Sequence, residues 1–407
     1  MATRWKAVSA STSSPARRPP PVAPAWGEAA VAATDHTRRT FGALTLAACA
    51  LPGVMPAVAL AEEAPEHSLV AVKMSGYQDK QPGLDRLSVK SPSFYLLTPL
   101  GRQWAVEGSL THDDVSGASP RYYTDVSGAS RMHDDRVAGD VRLTRYFERQ
   151  SLSIGLSHSG EHDYVSNALS ITGTHASEDN NTTWNAGIGL SRDRINPVNA
   201  LVVDERKRTV EWQVGVTHAL SPLDLVQGTL TWSVGQGYFS DPYKLFDERP
   251  RERNSGVLLL RWNHWSPALA AAVRSSYRLY HDSFGVQAHT VELNVEKPLN
   301  AQWTLTPSLR YHTQRAADFY VDPVDDANVY PGPNGTPTYV STDQRLSAFG
   351  AFGLGLKLAW QWSPAWGADM KLERYEQRAD WRLGGQGSPG VDPLKALQWQ
   401  IGLSHKF

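Results

Sequence analysis

The chain has 407 residues, a formal net charge of −1 and a single cysteine, Cys49. That charge balance excludes electrostatic binding of nucleic acid, and one cysteine excludes an internal disulfide or a thiolate metal cluster. With 14 Trp, 15 Tyr and 32 Gly, the composition suits many strands and tight turns better than helices.

Residues 1–61 read as an N-terminal extension followed by a signal peptide. In "RRTFGALTLAACALPGVMPAVALAEE" a basic pair precedes an apolar run from Phe41, and the small residues Ala59 and Ala61 precede Glu62, which predicts cleavage after Ala61. Pro52 and Pro56 interrupt the run, so it does not suit a transmembrane helix. The stretch "SSPARRPPPVAP" is long for the leading part of a signal and suggests a start codon placed too far upstream.

From Glu62 onward a two-residue period dominates, the mark of strands with one apolar and one polar face. The spacing predicts strands at 68–77, 87–97 and 102–113; in the third, Trp104, Val106, Gly108 and Leu110 alternate with Glu107, Ser109, Thr111 and Asp113. Strands follow at 136–147, 151–160, 165–175 and 182–192, then at 208–219, where Val210, Trp212, Val214 and Val216 oppose Glu211, Gln213 and Thr217. The remainder fall at 224–235, 255–264, 269–281, 287–297, 302–315, 345–362, 366–378 and 396–407. In the last, Leu397, Trp399, Ile401, Leu403 and Phe407 alternate with Gln398, Gln400, Ser404 and Lys406.

Strand length, connection lengths and aromatic placement point to one fold class. Residues 62–407 are expected to form an all-β, transmembrane antiparallel β-barrel of about sixteen strands, within about 14–18. Such a sheet needs no apolar 20-mer, because closure satisfies the backbone and only outward residues meet lipid. Short connections ("TPLGR", "FERQ", "SPLD", "WSPA", "KPLNAQ", "WSPAW") alternate with long ones at 113–135, 193–207, 236–254, 316–344 and 379–395, the asymmetry of periplasmic turns and extracellular loops. Trp104, Phe147, Trp262, Trp265, Trp303, Trp362 and Trp366 cluster beside the short turns, as an interfacial belt would. Phe407, closing an alternating strand, is expected to be read by the barrel assembly machinery.

The motifs "SLTHDDVSGASPRY", "EHDYVSNALS", "EDNNTTWNAG", "SDPYKLFDERPRERN", "SSYRLYHDSFG" and "DQRLSAFGA" resemble an uncharacterised family of Gram-negative outer-membrane proteins, a domain of unknown function. The resemblance spans essentially all of 62–407 and implies an outer-membrane barrel with no assigned activity and no catalytic residue to transfer.

Within this frame the stretch "THDDVSGASPRYYTDVSGASRMHDDR" lies in an extracellular loop. Each "DVSG" suits a tight turn, with the Asp accepting from the backbone and Gly117 or Gly128 taking positive φ. His-Asp pairs recur at four loop-side strand ends. Strand parity puts Asp113, Asp134, Asp163 and Asp282 toward the lumen and His112, His133, His162 and His281 outside, which weighs against a shared metal site. Glu107, Arg142, Arg261, Arg274, Arg278 and Arg310 are further expected lumen residues. Charges of both signs either line a wet pore or pair into a plug.

The favoured reading is a porin-like channel for small solutes with an acidic extracellular mouth, since so many strands enclose more space than side chains fill. The alternative is an envelope scaffold or receptor with an internally paired, closed lumen. An enzyme is disfavoured, because alternation alone explains Ser157, His158, Ser159 and His162, and no cofactor is expected. Expected partners are outer-membrane lipid and lipopolysaccharide and, in an oligomer, further copies of the chain, with no role for nucleic acid.

Overall fold

The computed structural model describes residues 64–117, 132–244, 246–322 and 338–407, the side chains of 117 and 132–134 excepted. The expected signal peptide, residues 118–131 with the second DVSGAS copy, and residues 323–337 of the expected 316–344 loop lie outside the described residues.

Sixteen strands close into one antiparallel barrel. In chain order they are β1 (Leu69–Gln81), β2 (Leu84–Pro99), β3 (Trp104–Gly117), β4 (Met132–Tyr146), β5 (Gln150–Gly160), β6 (Tyr164–Ala176), β7 (Thr182–Ile195), β8 (Glu205–Ser221), β9 (Asp224–Gly237), β11 (Glu252–Ser266), β12 (Ala271–Asp282), β13 (Gln287–Pro298), β14 (Trp303–Gln314), β16 (Phe349–Gln361), β17 (Trp366–Arg378) and β18 (Leu394–Lys406). Two short strands stand apart from the barrel and pair with each other, β10 (Asp247–Glu248) and β15 (Val340–Ser341), and Ser341 also bridges Tyr320. The ring closes where β1 meets β18, and Ser68 and Phe407 exchange backbone hydrogen bonds of 2.9 and 3.0 Å beside that seam.

The inside-out burial pattern follows from the alternation. Outward apolar side chains are exposed, with Leu156 at 62% and Leu354 at 60%, while inward Ser191 and Glu211 are at 3%. Water would penalise such an apolar outer wall, whereas hydrocarbon solvates it. At the short-turn end, neighbouring rings run from Trp303 to Trp360 (5.3 Å), Trp362 (4.9 Å), Trp366 (6.1 Å), His405 (4.1 Å) and Phe407 (5.5 Å). Amphipathic rings of this kind favour the boundary between hydrocarbon and headgroups.

Two local expectations are corrected. Asp114–Gly117 is strand rather than a tight turn: it extends β3 and pairs with 132–135. Ladder hydrogen bonds to a neighbouring strand outweigh the local turn preference of an Asp-Val-Ser-Gly sequence. The strand expected from 345 begins instead at Phe349, because Gln344–Leu346 forms a 3-10 turn capped by the Asp343 side chain.

Candidate functional site: the lumen and its capped mouth

Every second residue of each barrel strand points inward, so the lumen is lined by the polar half of the alternation. Glu107 on β3 meets Arg142 on β4 at 3.5 Å, Arg274 on β12 meets Glu296 on β13 at 2.9 Å, and Lys371 meets Glu373 along β17 at 3.0 Å. Arg310 faces Glu292 in register across β13 and β14. Arg261 donates to Gln227 at 3.3 Å, and Arg278 lies 5.4 Å from the Tyr280 ring. The lumen face of β11–β14 is half-buried rather than closed at Arg261, Arg274, Arg278, Glu292, Asn294, Glu296 and Arg310.

Among the described residues the mouth carboxylates do not assemble into one open collar. Asp113 is buried and ion-paired with Arg136 at 2.5 Å. Asp282, at 1% exposure, accepts from Arg253 at 2.6 Å, from the Tyr280 hydroxyl at 2.7 Å, and from the backbone N–H groups of Phe284 and Val286 at 3.0 Å. It is the hub of the β12–β13 turn, where every acceptor site is used to hold backbone and guanidinium. Asp163 is half-exposed in the β5–β6 turn. The side chains of His133 and Asp134 lie outside the described residues. His112, His162 and His281 are exposed, His112 standing 3.6 Å from Asp135. Among the described residues no three His, Cys, Asp or Glu side chains form a metal-binding group.

What sequence reading missed is a cap built from residues 238–244 and 246–251 of one connection and 315–322 and 338–348 of another. Phe239 folds back over the inner face of β9, occupying the space a Cβ on Gly235 would need (2.8 Å) and lying 5.8 Å from the lumen-facing Lys207 ammonium. Phe284 packs edge-on against both Phe239 (6.0 Å) and Phe319 (5.1 Å), with Val286, Ala317 and Leu346 completing an apolar cluster. Beside it lies a buried ionic knot. Asp343, at 1% exposure, binds Lys244 at 3.0 Å, Arg249 at 2.7 Å and Arg345; Arg249 also grips Asp247 through two 2.6 Å bonds, and Arg345 reaches Asp241 at 3.1 Å. Burial alone would push the Asp343 carboxyl up, but the charges of Arg345, Lys244 and Arg249 prevail and hold it well below the usual carboxylate range.

The next residue, Gln344, accepts from the amide of Gln81 at 3.0 Å. Gln81 ends β1, whereas Lys244 and Arg249 belong to the connection that leaves β9, and β1 and β9 lie eight places apart in the ring of sixteen. Residues 343–345 therefore tie opposite sides of the mouth together. The charge density of "DPYKLFDERPRERN" and the "TDQR" capping pattern were the available signals. Nothing local to either reveals that the two segments meet.

A closed sixteen-strand antiparallel barrel with an apolar outer wall, a charged lumen and an aromatic belt is an outer-membrane β-barrel. Residues 41–396 match the family described as "Protein of unknown function (DUF3570)", and the chain belongs to that family. No curated protein sequence matches it. Among solved structures it is similar to the siderophore receptor PirA from Pseudomonas aeruginosa, with 12% identity over 84% of this chain and 66% of that one and a TM-score of 0.42. The chain thus spans just under two thirds of that receptor's length. It is also similar to a bacterial polysaccharide outer membrane secretin (10% identity, 83% of this chain and 98% of that one, TM-score 0.46) and to Pseudomonas aeruginosa OccK9 (OpdG) (8%, 84% and 98%, TM-score 0.41).

Proposed function

We propose that the protein resides in the Gram-negative outer membrane, short turns toward the periplasm, as a channel for small polar solutes whose extracellular mouth is closed by the cap of residues 238–244, 246–251, 315–322 and 338–348. The observation that carries this reading is the charged inner wall of β11–β14, whose side chains are half-buried rather than packed shut and so leave room for water. The wall carries four arginines (Arg261, Arg274, Arg278, Arg310) against two glutamates (Glu292, Glu296), so the open lumen favours small anions. This replaces the cation-enriching acidic mouth, since Asp113 and Asp282 are neutralised by Arg136 and Arg253.

The lumen pairs Glu107–Arg142 and Lys371–Glu373 favour the second reading, a closed scaffold or receptor. Conductance of the refolded barrel in a planar bilayer separates the two. The expected result is rare openings for the native protein, frequent openings for Asp343→Asn, and an anion-selective reversal potential under a KCl gradient. No conductance in either protein would overturn the channel and leave the scaffold.

A further inference from the structure

At the long-loop end of β7 and β8, parity turns four arginines to the outer wall. Burial alternates strictly there: Ser191, Asp193 and Ile195 on β7 and Lys207 and Thr209 on β8 are buried, while Arg192, Arg194, Arg206 and Arg208 are exposed. The register sets Arg192 directly opposite Arg208 and Arg194 directly opposite Arg206. Facing side chains start about 5 Å apart and the two rungs lie about 7 Å apart along the strands, so four guanidinium groups share one small patch. Like charges at facing positions oppose strand pairing unless an anion lies between them.

The chain supplies one such anion. Asp204 binds Arg194 at 2.7 Å and Arg206 at 2.9 Å. Among the described residues no carboxylate pairs with Arg192 or Arg208. Below on the same face come Leu190 and, one rung further, Ile188 and Trp212, exposed and apolar, so the arginines crown the lipid-facing band. The feature is local: the corresponding outer wall of β3 and β4 carries His112 and Asp135 instead.

We propose that this patch binds the phosphorylated glucosamine headgroup of the outer-leaflet glycolipid, lipid A. The Arg192–Arg208 rung takes a phosphate, with Arg194 and Arg206 beside it and the acyl chains lying along the apolar wall beneath. Guanidinium forks match phosphate oxygens in a bidentate way, and a phosphate between facing arginines removes the repulsion that the bare sheet carries. The inference rests on the membrane orientation proposed above, not on the channel.

The test uses folded full-length protein in detergent, titrated with bisphosphorylated lipid A, with its dephosphorylated counterpart, with phosphatidylglycerol and with inorganic phosphate, following the temperature at which the heat-modifiable fold is lost. Lipid A is expected to raise that temperature and the other three to leave it nearly unchanged. Arg192→Gln/Arg208→Gln should weaken lipid A binding at least tenfold, with Arg192→Lys/Arg208→Lys intermediate. Unchanged binding by the Gln pair, or equal protection by inorganic phosphate, would overturn the site. Equal protection by phosphatidylglycerol would overturn the glycolipid assignment, while a reversed orientation is read separately by labelling intact cells. Should the Gln pair fail to fold, raising NaCl from 0.1 to 1 M must itself weaken lipid A binding to the native protein at least tenfold; salt-insensitive binding sinks the proposal.

Discussion

Asp343 concentrates more of the cap's energetics than any other side chain described, because three cations converge on one carboxylate that water scarcely reaches. Removing its charge leaves the knot with Asp247 on Arg249 and Asp241 on Arg345, and breaking a buried ion pair on one side costs about 3–5 kcal/mol. Asp343→Asn is therefore expected to loosen the cap without unfolding the barrel, read as faster proteolytic cleavage within 238–251 at unchanged heat-modifiable mobility. Loss of the barrel itself would contradict a role confined to the mouth. The pH dependence has a definite sign. A carboxyl depressed in the folded state contributes stability in full above the ordinary value of about 3.9 and loses it only as pH falls through the lower, folded value. The Asp343 contribution to cap protection should then hold from neutral pH to about 4 and fail only in stronger acid, a transition that Asp343→Asn should abolish, whereas the neighbouring Asp247 carboxyl, pushed up by burial, takes up its proton at higher pH.

Strand pairing sets what the elements tolerate, and the seam between β1 and β18 shows it most directly. Gly76 sits opposite Trp399, and a Cβ at Gly76 would stand 2.3 Å from the indole nitrogen. The indole covers the bare glycine backbone on the lipid face, an arrangement that pins register between strands. Gly76→Val must displace the ring, and overpacking of this kind costs about 1–3 kcal/mol. The folded, heat-modifiable fraction should fall, and Gly76→Val/Trp399→Ala should recover part of it; equal folding of Gly76→Val and native protein would show that the ring has another seat. The same elements explain what the sequence disclosed. Strand identity was legible because alternation such as Val210, Trp212 and Val214 against Glu211 and Gln213 is a local property of a two-sided sheet. The cap was not legible, since Lys244 and Asp343 are remote in sequence and meet only because β9 and β14 both deliver their connections to one mouth. Asp113 and Asp282 show the intermediate case: parity placed them inward, but Arg136 and Arg253, which neutralise them, are cross-strand neighbours fixed by register.

The whole barrel has two unlike ends, and the difference defines an orientation that one experiment reads. At one end the connections are brief, β1 begins, β18 ends, and the aromatic chain from Trp303 to Phe407 lies nearby. The other end carries the capped mouth, the 196–204 connection and the 379–393 connection. A strand ladder inserted from the periplasm needs only short connections on the side where it was delivered, while the far side bears long loops. Cys49 lies in the expected signal segment, so introduced cysteines report separately on each end. Ala200→Cys and Leu383→Cys, both at exposed positions of the long connections, should react with a membrane-impermeant maleimide on intact cells. Leu269→Cys and Leu299→Cys, exposed in the short turns, should react only after the outer membrane is disrupted. The reverse pattern would invert the barrel and carry the arginine rungs of β7 and β8 to the inner leaflet, where no lipid A resides. Labelling of all four on intact cells would mean that the outer membrane had been breached, a state that a periplasmic marker enzyme retained by the same cells rules out.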